Sequence, residues 1–298
     1  MSGELAIRVT GTGARRVLLL HALTGGPDAA DREGVKGWWG PLFRAGAPLD
    51  GARNMVWTPN LPGSCYGTAW PGEAPLTVRA QAERVASWIL REQLAFEALL
   101  GGSLGGMVAL ELALLLPERF RALGVIGCGG RAHAWLWAQN EVQRAILAAS
   151  SLGDAEALAL ARRAAMVGFR APASLGARFR EPEALRAWLA HHGRALAARF
   201  TRSSYLKLLD AMDSHDLGRD RGGLASALGG LGAPLHVLGI PSDQLFPPVV
   251  VEELAEAARC AGRLGSLAWL ASPHGHDAFL LEWDQVGAWL TRILPEAP

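Results

Sequence analysis

Leu99-Leu100-Gly101-Gly102-Ser103-Leu104-Gly105-Gly106-Met107 is the stretch around which this chain is organised. It contains Gly101-x-Ser103-x-Gly105, with an apolar segment over 96–100 leading in and a helical pattern over 107–116 leading out. A strand, a sharp turn and a helix in that succession lift a serine hydroxyl to the top of a sheet, the setting of a nucleophile elbow. The turn holds its serine in a strained backbone conformation, and glycine neighbours let adjacent backbones pass closely. The following helix aims its first N–H groups and its positive dipole end at the serine, where an oxyanion would form. Alone, the motif is weak: a chain with 36 glycines produces Gly-x-Ser-x-Gly incidentally, around an idle serine.

The segments before the elbow supply the sheet. Residues 4–10 alternate apolar and polar as a half-buried strand does, and Val17-Leu18-Leu19-Leu20 is an unbroken apolar run of the kind covered on both faces. That run ends in His21-Ala22-Leu23-Thr24-Gly25-Gly26. In the architecture that carries a nucleophile elbow, a loop placed here gives a second oxyanion donor. The two donors are then the backbone N–H groups of Leu23 and Leu104, and His21 reads as a structural histidine bonded to loop backbone. Residues 55–61 form another strand, and Thr77 caps a helix running to about Leu94 whose inner face holds Val78, Ala82, Val85, Ala86 and Ile89. Trp38, Trp39 and Tyr66 sit in long loops and read as packing residues.

Beyond the elbow helix, stopped by Pro117, residues 122–128 form a buried strand. From Gly129 to about Leu228 the pattern is helical throughout, with helices over 132–149, 154–167, 181–200 and 203–213. The glycine-rich stretch 222–232 reads as a flexible hinge back to the core. Strand pattern resumes over 234–240 and is followed at once by Pro241-Ser242-Asp243. A helix opens at Pro247-Pro248, a last strand spans 266–270, and Ser272-Pro273-His274-Gly275-His276-Asp277 follows it. A closing helix is expected to hold Phe279, Val286, Trp289 and Leu290.

Ser103, Asp243 and His276 therefore each stand just after an expected strand, in the order nucleophile, acid, base. Three independent placements carry far more weight than the elbow does. A serine hydroxyl is a poor nucleophile until a base takes its proton, which a histidine can do near neutral pH. The acid holds the imidazole's other N–H and stabilises the imidazolium. His274 competes with His276 by proximity.

Composition bounds the partners. Half of the 298 residues are hydrophobic and the formal charge is +1, so neither nucleic acid nor an anionic membrane is indicated. Lys36 and Lys207 are the only lysines, so the basic residues are nearly all arginine. Three scattered cysteines, Cys65, Cys128 and Cys260, match neither a disulfide framework nor a zinc site, and point to a reducing compartment. No signal peptide is expected, and no apolar run reaches the roughly 18 residues of a membrane span. The expectation is a cytoplasmic enzyme that binds no metal.

Taken together, the motifs resemble those of the homoserine O-acetyltransferases of the α/β-hydrolase superfamily. The matching stretches include His21-Ala-Leu-Thr-Gly25, Gly37-Trp-Trp39, residues 60–67, Gln139-Asn-Glu-Val-Gln-Arg144, Arg199-Phe-x-x-x-Ser-Tyr205, Ser214-His-Asp216, Ser242-Asp-x-Leu-Phe-Pro247 and Gly275-His-Asp-Ala-Phe279. They run in order from about residue 7 to residue 292. The resemblance implies an α/β-hydrolase fold: a mostly parallel sheet flanked by helices, with core at 1–129 and 229–298. The helical cap, at 130–228, is inserted between the sixth and seventh strands of the family's sheet. It implies acetyl transfer from acetyl-CoA, a co-substrate rather than a bound cofactor, to the L-homoserine hydroxyl, a step in methionine biosynthesis. Arg199 then pairs with the homoserine carboxylate and Asp277 with its amino group, Tyr205 joins the substrate site, His276 is preferred to His274, and the enzyme is a homodimer. Ser64, Leu104, Val108 and Leu112 depart from the usual family residues, and the cap is short. Succinyl-CoA as donor, serine as acceptor, and a Ser-His-Asp esterase or thioesterase remain the alternatives.

Overall fold

The computed structural model describes residues 5–68, 70, 74–148 and 151–294, so Glu4 and Ala149, at the edges of an expected strand and helix, lie outside the described residues. The strands are β1 (Ile7–Thr10), β2 (Arg15–Leu20), β3 (Asn54–Pro59), β4 (Ala98–Gly102), β5 (Leu123–Ile126), β6 (Leu235–Gly239) and β7 (Leu264–Trp269). They form one sheet in the order β1-β3-β2-β4-β5-β6-β7, with β1 antiparallel to β3 and every other pair parallel. Parallel neighbours require crossovers, and helices cover both faces. The central strands feed two cores. Leu18, Leu20, Leu99 and Val125 pack on one face with α1 (Val78–Arg91) and α2 (Leu104–Leu115). Val17, Leu19, Leu100 and Ile126 pack on the other with Trp39, Leu42 and the inner face of the C-terminal helix Trp283–Ile293. Thr77 caps α1, its hydroxyl accepting from the Ala80 N–H at 3.0 Å. The α2 segment is buried on nearly all sides, so it shows apolar continuity instead of a stripe.

Between β5 and β6, among the described residues, no strand of the sheet occurs. The segment holds α3 (Ala134–Ala148), α4 (Asp154–Phe169), α5 (Pro172–Arg178), α6 (Pro182–Ala197), α7 (Arg202–Ser214) and α8 (Leu224–Gly229). In this seven-stranded sheet the insertion thus follows the fifth strand. Its two stems are laced together: the Ala132 N–H donates to His215 O at 2.7 Å and the Leu217 N–H to Gly130 O at 3.0 Å. The stretch 222–232 is not the open hinge its glycines suggest. It contains α8, whose Ala227 and Leu228 are buried, with Leu231 beside them. Next door, Arg221 donates two hydrogen bonds to the buried Glu111 of α2, at 2.6 and 3.1 Å. After β6 come α9 (Pro248–Cys260) and, beyond β7, α10 (Trp283–Ile293). Phe279 sits in a 3-10 turn, Gly275–Leu280, ahead of that closing helix rather than on it.

Two buried histidines brace the fold in their neutral form. His21 Nδ1 donates to Ala22 O at 2.8 Å and its Nε2 accepts the Leu61 N–H at 2.9 Å, so the ring ties two loops, as a structural histidine does. His215 donates through Nε2 to Gly129 O at 3.0 Å. Burial pushes both down to about 4. The unfolded chain therefore binds these protons first as pH falls, and stability drops between about 6.5 and about 4. At pH 5 the loss is about 2 kcal/mol per ring relative to neutral pH. Urea midpoints measured at pH 7 and 5 should show it. His215→Gln, which keeps a donor for Gly129 O, should flatten the slope by one ring's share. An unchanged slope would refute this.

Candidate active site

The apolar run of β4 delivers the chain to Ser103, whose φ of 54° and ψ of −124° place it in the left-handed half of backbone space. For a residue with a side chain this costs on the order of 1–3 kcal/mol, held by the surrounding structure. The Ser103 N–H donates to Ile126 O of β5 at 2.9 Å, and its carbonyl accepts the Met107 N–H at 3.1 Å as α2 begins. Gly105 lets α2 pass over the end of β2: a Cβ there would lie 2.3 Å from Leu20 O. Because β2 and β4 are neighbours, with Leu20 opposite Gly101, the loop after β2 lies alongside the elbow. That loop brings Leu23 to the same end of the sheet as Leu104, whose N–H opens α2 and has no intrahelical acceptor.

The acid and the histidine arrive from the next two strands. Asp243 follows β6, and its Oδ1 accepts the Leu245 and Phe246 N–H groups at 2.8 and 3.0 Å. Its Oδ2 lies 2.7 Å from His276 Nδ1, and His276 Nε2 lies 2.9 Å from Ser103 Oγ. Ser242 Oγ fastens the two loops, donating to Ser272 O at 2.6 Å and accepting the Gly275 N–H at 3.1 Å. Of the two neighbouring histidines only His276 reaches the serine; His274 Nδ1 is 2.9 Å from Ser174 Oγ on α5. Ser103, Asp243 and His276 are 2, 3 and 4 % exposed, and Phe169, Phe246 and Phe279 pack their rings around the imidazole. Burial pushes the imidazole pKa down, but the charge and hydrogen bond of Asp243, with the charge of Asp277, outweigh it and raise it above its ordinary value. The chain of three can therefore move a proton from a serine hydroxyl to an imidazole and hold the cation.

The remaining expected residues divide. Arg199 Nη1 donates to Thr24 O at 2.7 Å, beside Leu23, and to the Tyr66 hydroxyl. These residues line a cavity of about 390 Å³ together with Gly25, Trp38 and Lys36. Tyr66 and Trp38, read from the sequence as packing residues, thus also line a cavity. Asp277 Oδ2 lies 3.1 Å from Arg170 Nε, with both side chains largely buried. Tyr205 departs from expectation: it is fully buried on the inner face of α7, and its hydroxyl donates to Gln143 Oε1 at 2.6 Å. Burial pushes that hydroxyl up to about 12, so it stays neutral, within the helical segment between β5 and β6 and away from the surface. Phe169 and Arg170, which meet His276 and Asp277 from the end of α4, belong to no motif the sequence reveals.

A strained serine between strand and helix, joined through histidine to an acid on successive parallel strands, is the arrangement of the α/β-hydrolase class. The family profile for the alpha/beta hydrolase fold matches residues 15–282. The homoserine O-acetyltransferase of Thermus thermophilus is 38% identical over an alignment covering 98% of this chain and 86% of that protein. That of Clavibacter michiganensis is 35% identical, covering 95% and 84%. The crystal structure of homoserine O-acetyltransferase from Staphylococcus aureus superposes with a TM-score of 0.85 at 26% identity, covering 97% of this chain and 88% of that one. Esterase E22 superposes equally well, with a TM-score of 0.86, but at 16% identity, a likeness of fold alone. The chain belongs to the homoserine O-acetyltransferase family.

Proposed function

We propose that the protein transfers an acetyl group from acetyl-CoA to the hydroxyl of L-homoserine through an acetyl-Ser103 intermediate. Ser103 Oγ attacks the thioester carbonyl as His276 takes its proton, and the Leu23 and Leu104 N–H groups receive the negative oxygen. The tetrahedral adduct collapses, the C–S bond breaks, and His276 returns the proton to the departing thiol. The homoserine hydroxyl then gives its proton to His276 and attacks the acetyl ester; the Ser103 Oγ–acyl bond breaks, His276 returns the proton to Oγ, and O-acetylhomoserine leaves. Asp243 holds the imidazole and stabilises its cation throughout.

The observation that carries this reading is Arg199, a cation delivered to Thr24 O beside the oxyanion loop. Acyl transfer to water needs no such group, whereas an amino-acid acceptor has a carboxylate to be gripped. Asp277 takes the acceptor's ammonium, next to the base. The closed setting of Ser103 favours a positioned acceptor over water, because held reactants gain effective molarities on the order of 10⁵ M or more. No step calls for a metal. The same reading makes residues 130–228 a cap over the core at 1–129 and 229–298, and the enzyme a cytoplasmic homodimer meeting through that cap. The half-exposed Trp135, Trp137 and Val142 on α3 support such a contact.

CoA-thiol release should be measured with acetyl-CoA and with succinyl-CoA, each with and without L-homoserine and L-serine. Release that needs acetyl-CoA and homoserine together is expected; release indifferent to the amino acid would make the protein a hydrolase. Arg199→Met should raise KM for homoserine about 10- to 100-fold, the worth of a charged hydrogen-bonded pair, with KM for acetyl-CoA little changed. Equal effects on both substrates would make Arg199 structural.

A further inference from the structure

The four residues that carry the base are all met by one corner of the cap, the junction of α4 and α5. His274 Nδ1 is 2.9 Å from Ser174 Oγ. Gly275, at φ +69°, lies against the turn 169–171 so tightly that a Cβ would sit 2.6 Å from Ala171 N and 2.9 Å from Phe169 O. The His276 ring is 5.8 Å from the Phe169 ring. Asp277 Oδ2 is 3.1 Å from Arg170 Nε, with the two side chains 14 and 10 % exposed, and the Arg170 guanidinium also stands 5.7 Å from the Trp188 ring of α6. Arg170 is thus fixed from two sides while it holds one oxygen of Asp277.

We propose that Arg170 is a positioning residue for the acceptor half of the reaction. It orients Asp277 so that the other carboxylate oxygen is presented to the acceptor's ammonium, and its charge offsets that of Asp277 beside His276. The inference rests on the reading of Asp277 as the ammonium site. The guanidinium 3.1 Å from one carboxylate oxygen draws that oxygen toward itself as an ion pair, so the ammonium meets a preferred side-chain placement instead of a freely rotating one. Docking of the cap corner and selection of an amino-acid acceptor are then one structural event.

Arg170→Met and Arg170→Lys test this. Three quantities are read: KM for L-homoserine, the burst of p-nitrophenol from p-nitrophenyl acetate, which reports acetylation of the enzyme without acceptor, and the acid limb of the burst rate against pH. For Arg170→Met we expect KM for homoserine to rise about tenfold, the loss of one charge-assisted contact. The burst rate on the alkaline plateau should stay within about twofold. The acid limb should move to higher pH, because the Asp277 charge then acts on His276 without its counter-charge. The other groups facing this centre are unchanged in the variant: Asp243 on the core side with His133 near it, and Arg162, His191 and His192 on α4 and α6. Arg170→Lys, which restores the charge without the guanidinium's shape, should return the limb to its wild-type place and part of the KM. If neither KM nor the limb moves in Arg170→Met, the positioning role is wrong. If the burst falls and the KM values for homoserine and acetyl-CoA rise together, Arg170 is a fold residue and the proposal also fails. If Arg170→Met does not fold, a wild-type KM in Arg170→Lys overturns the proposal and a raised one supports it. Should the wild type transfer nothing to homoserine, the functional reading fails by itself; the shift of the limb still decides the charge-offset role of Arg170.

Discussion

Ser103→Ala should reduce acetyl transfer on the order of 10⁶-fold in kcat, the scale at which a Ser-His-Asp site loses its nucleophile. No other hydroxyl stands at 2.9 Å from His276 Nε2, among the hydrogen bonds of the described residues. Residual turnover about 10³–10⁴ above the uncatalysed rate is compatible with the oxyanion donors acting alone. The variant should fold. The oxygen removed is bonded to His276 only, and alanine at φ 54° bears the same backbone strain as serine. The measurement is the p-nitrophenol burst, expected to vanish, alongside an unchanged urea midpoint. A burst of normal amplitude would place the nucleophile elsewhere. Ser103→Gly would add a second sign: relief of the left-handed strain should raise stability by about 1 kcal/mol while activity is lost.

The elbow was legible in the sequence because its demands are local. A serine forced to positive φ needs a buried strand before it, a helix after it and no Cβ at Gly105, and all three are written within a dozen residues. Asp243 and His276 were legible for a related reason. Each follows a short apolar run that ends in a polar loop, and parallel strands present all such loops at one end of the sheet. Strand order was not legible: β3 lies between β1 and β2, and no periodicity states that.

What stayed hidden is long-range or short. Arg170 meets Asp277 across more than a hundred residues, and the local sequence of α4 gives it the look of a solvated helix end. Tyr205 stands in a motif that resemblance assigns to substrate, yet helix rotation turns its hydroxyl inward to Gln143. The helices α5 and α8 span seven and six residues, too short for a helical period to declare itself, and glycines around α8 disguise a segment whose Leu228 is fully buried. Phe279 shares an apolar cluster with Val286, Trp289 and Leu290 of α10, but it stands on the 3-10 turn at 275–280, where its ring also meets His276.

Asp243→Asn should lower kcat about 10⁴-fold while leaving the site's shape intact, and the hydrogen bonds specify why. Asp243 Oδ1 accepts two backbone N–H groups, from Leu245 and Phe246. An asparagine has one oxygen, and those two donors claim it, so its NH₂ group must face His276 Nδ1. The ring then turns to the tautomer that accepts at Nδ1 and carries its proton on Nε2. In that form Nε2 donates toward Ser103 Oγ and cannot take the serine proton. The substitution also removes the charge that, with Asp277, holds the imidazole pKa above its ordinary value. In the wild type the acid limb of kcat/KM therefore lies above the usual histidine range near 6.5, because the base works only when neutral. In Asp243→Asn burial acts with less opposition, so the limb should move to lower pH even as the plateau falls. A pH profile of the residual rate checks both at once. A limb that stays in place while kcat falls would mean that His276 is not the group whose titration governs the reaction.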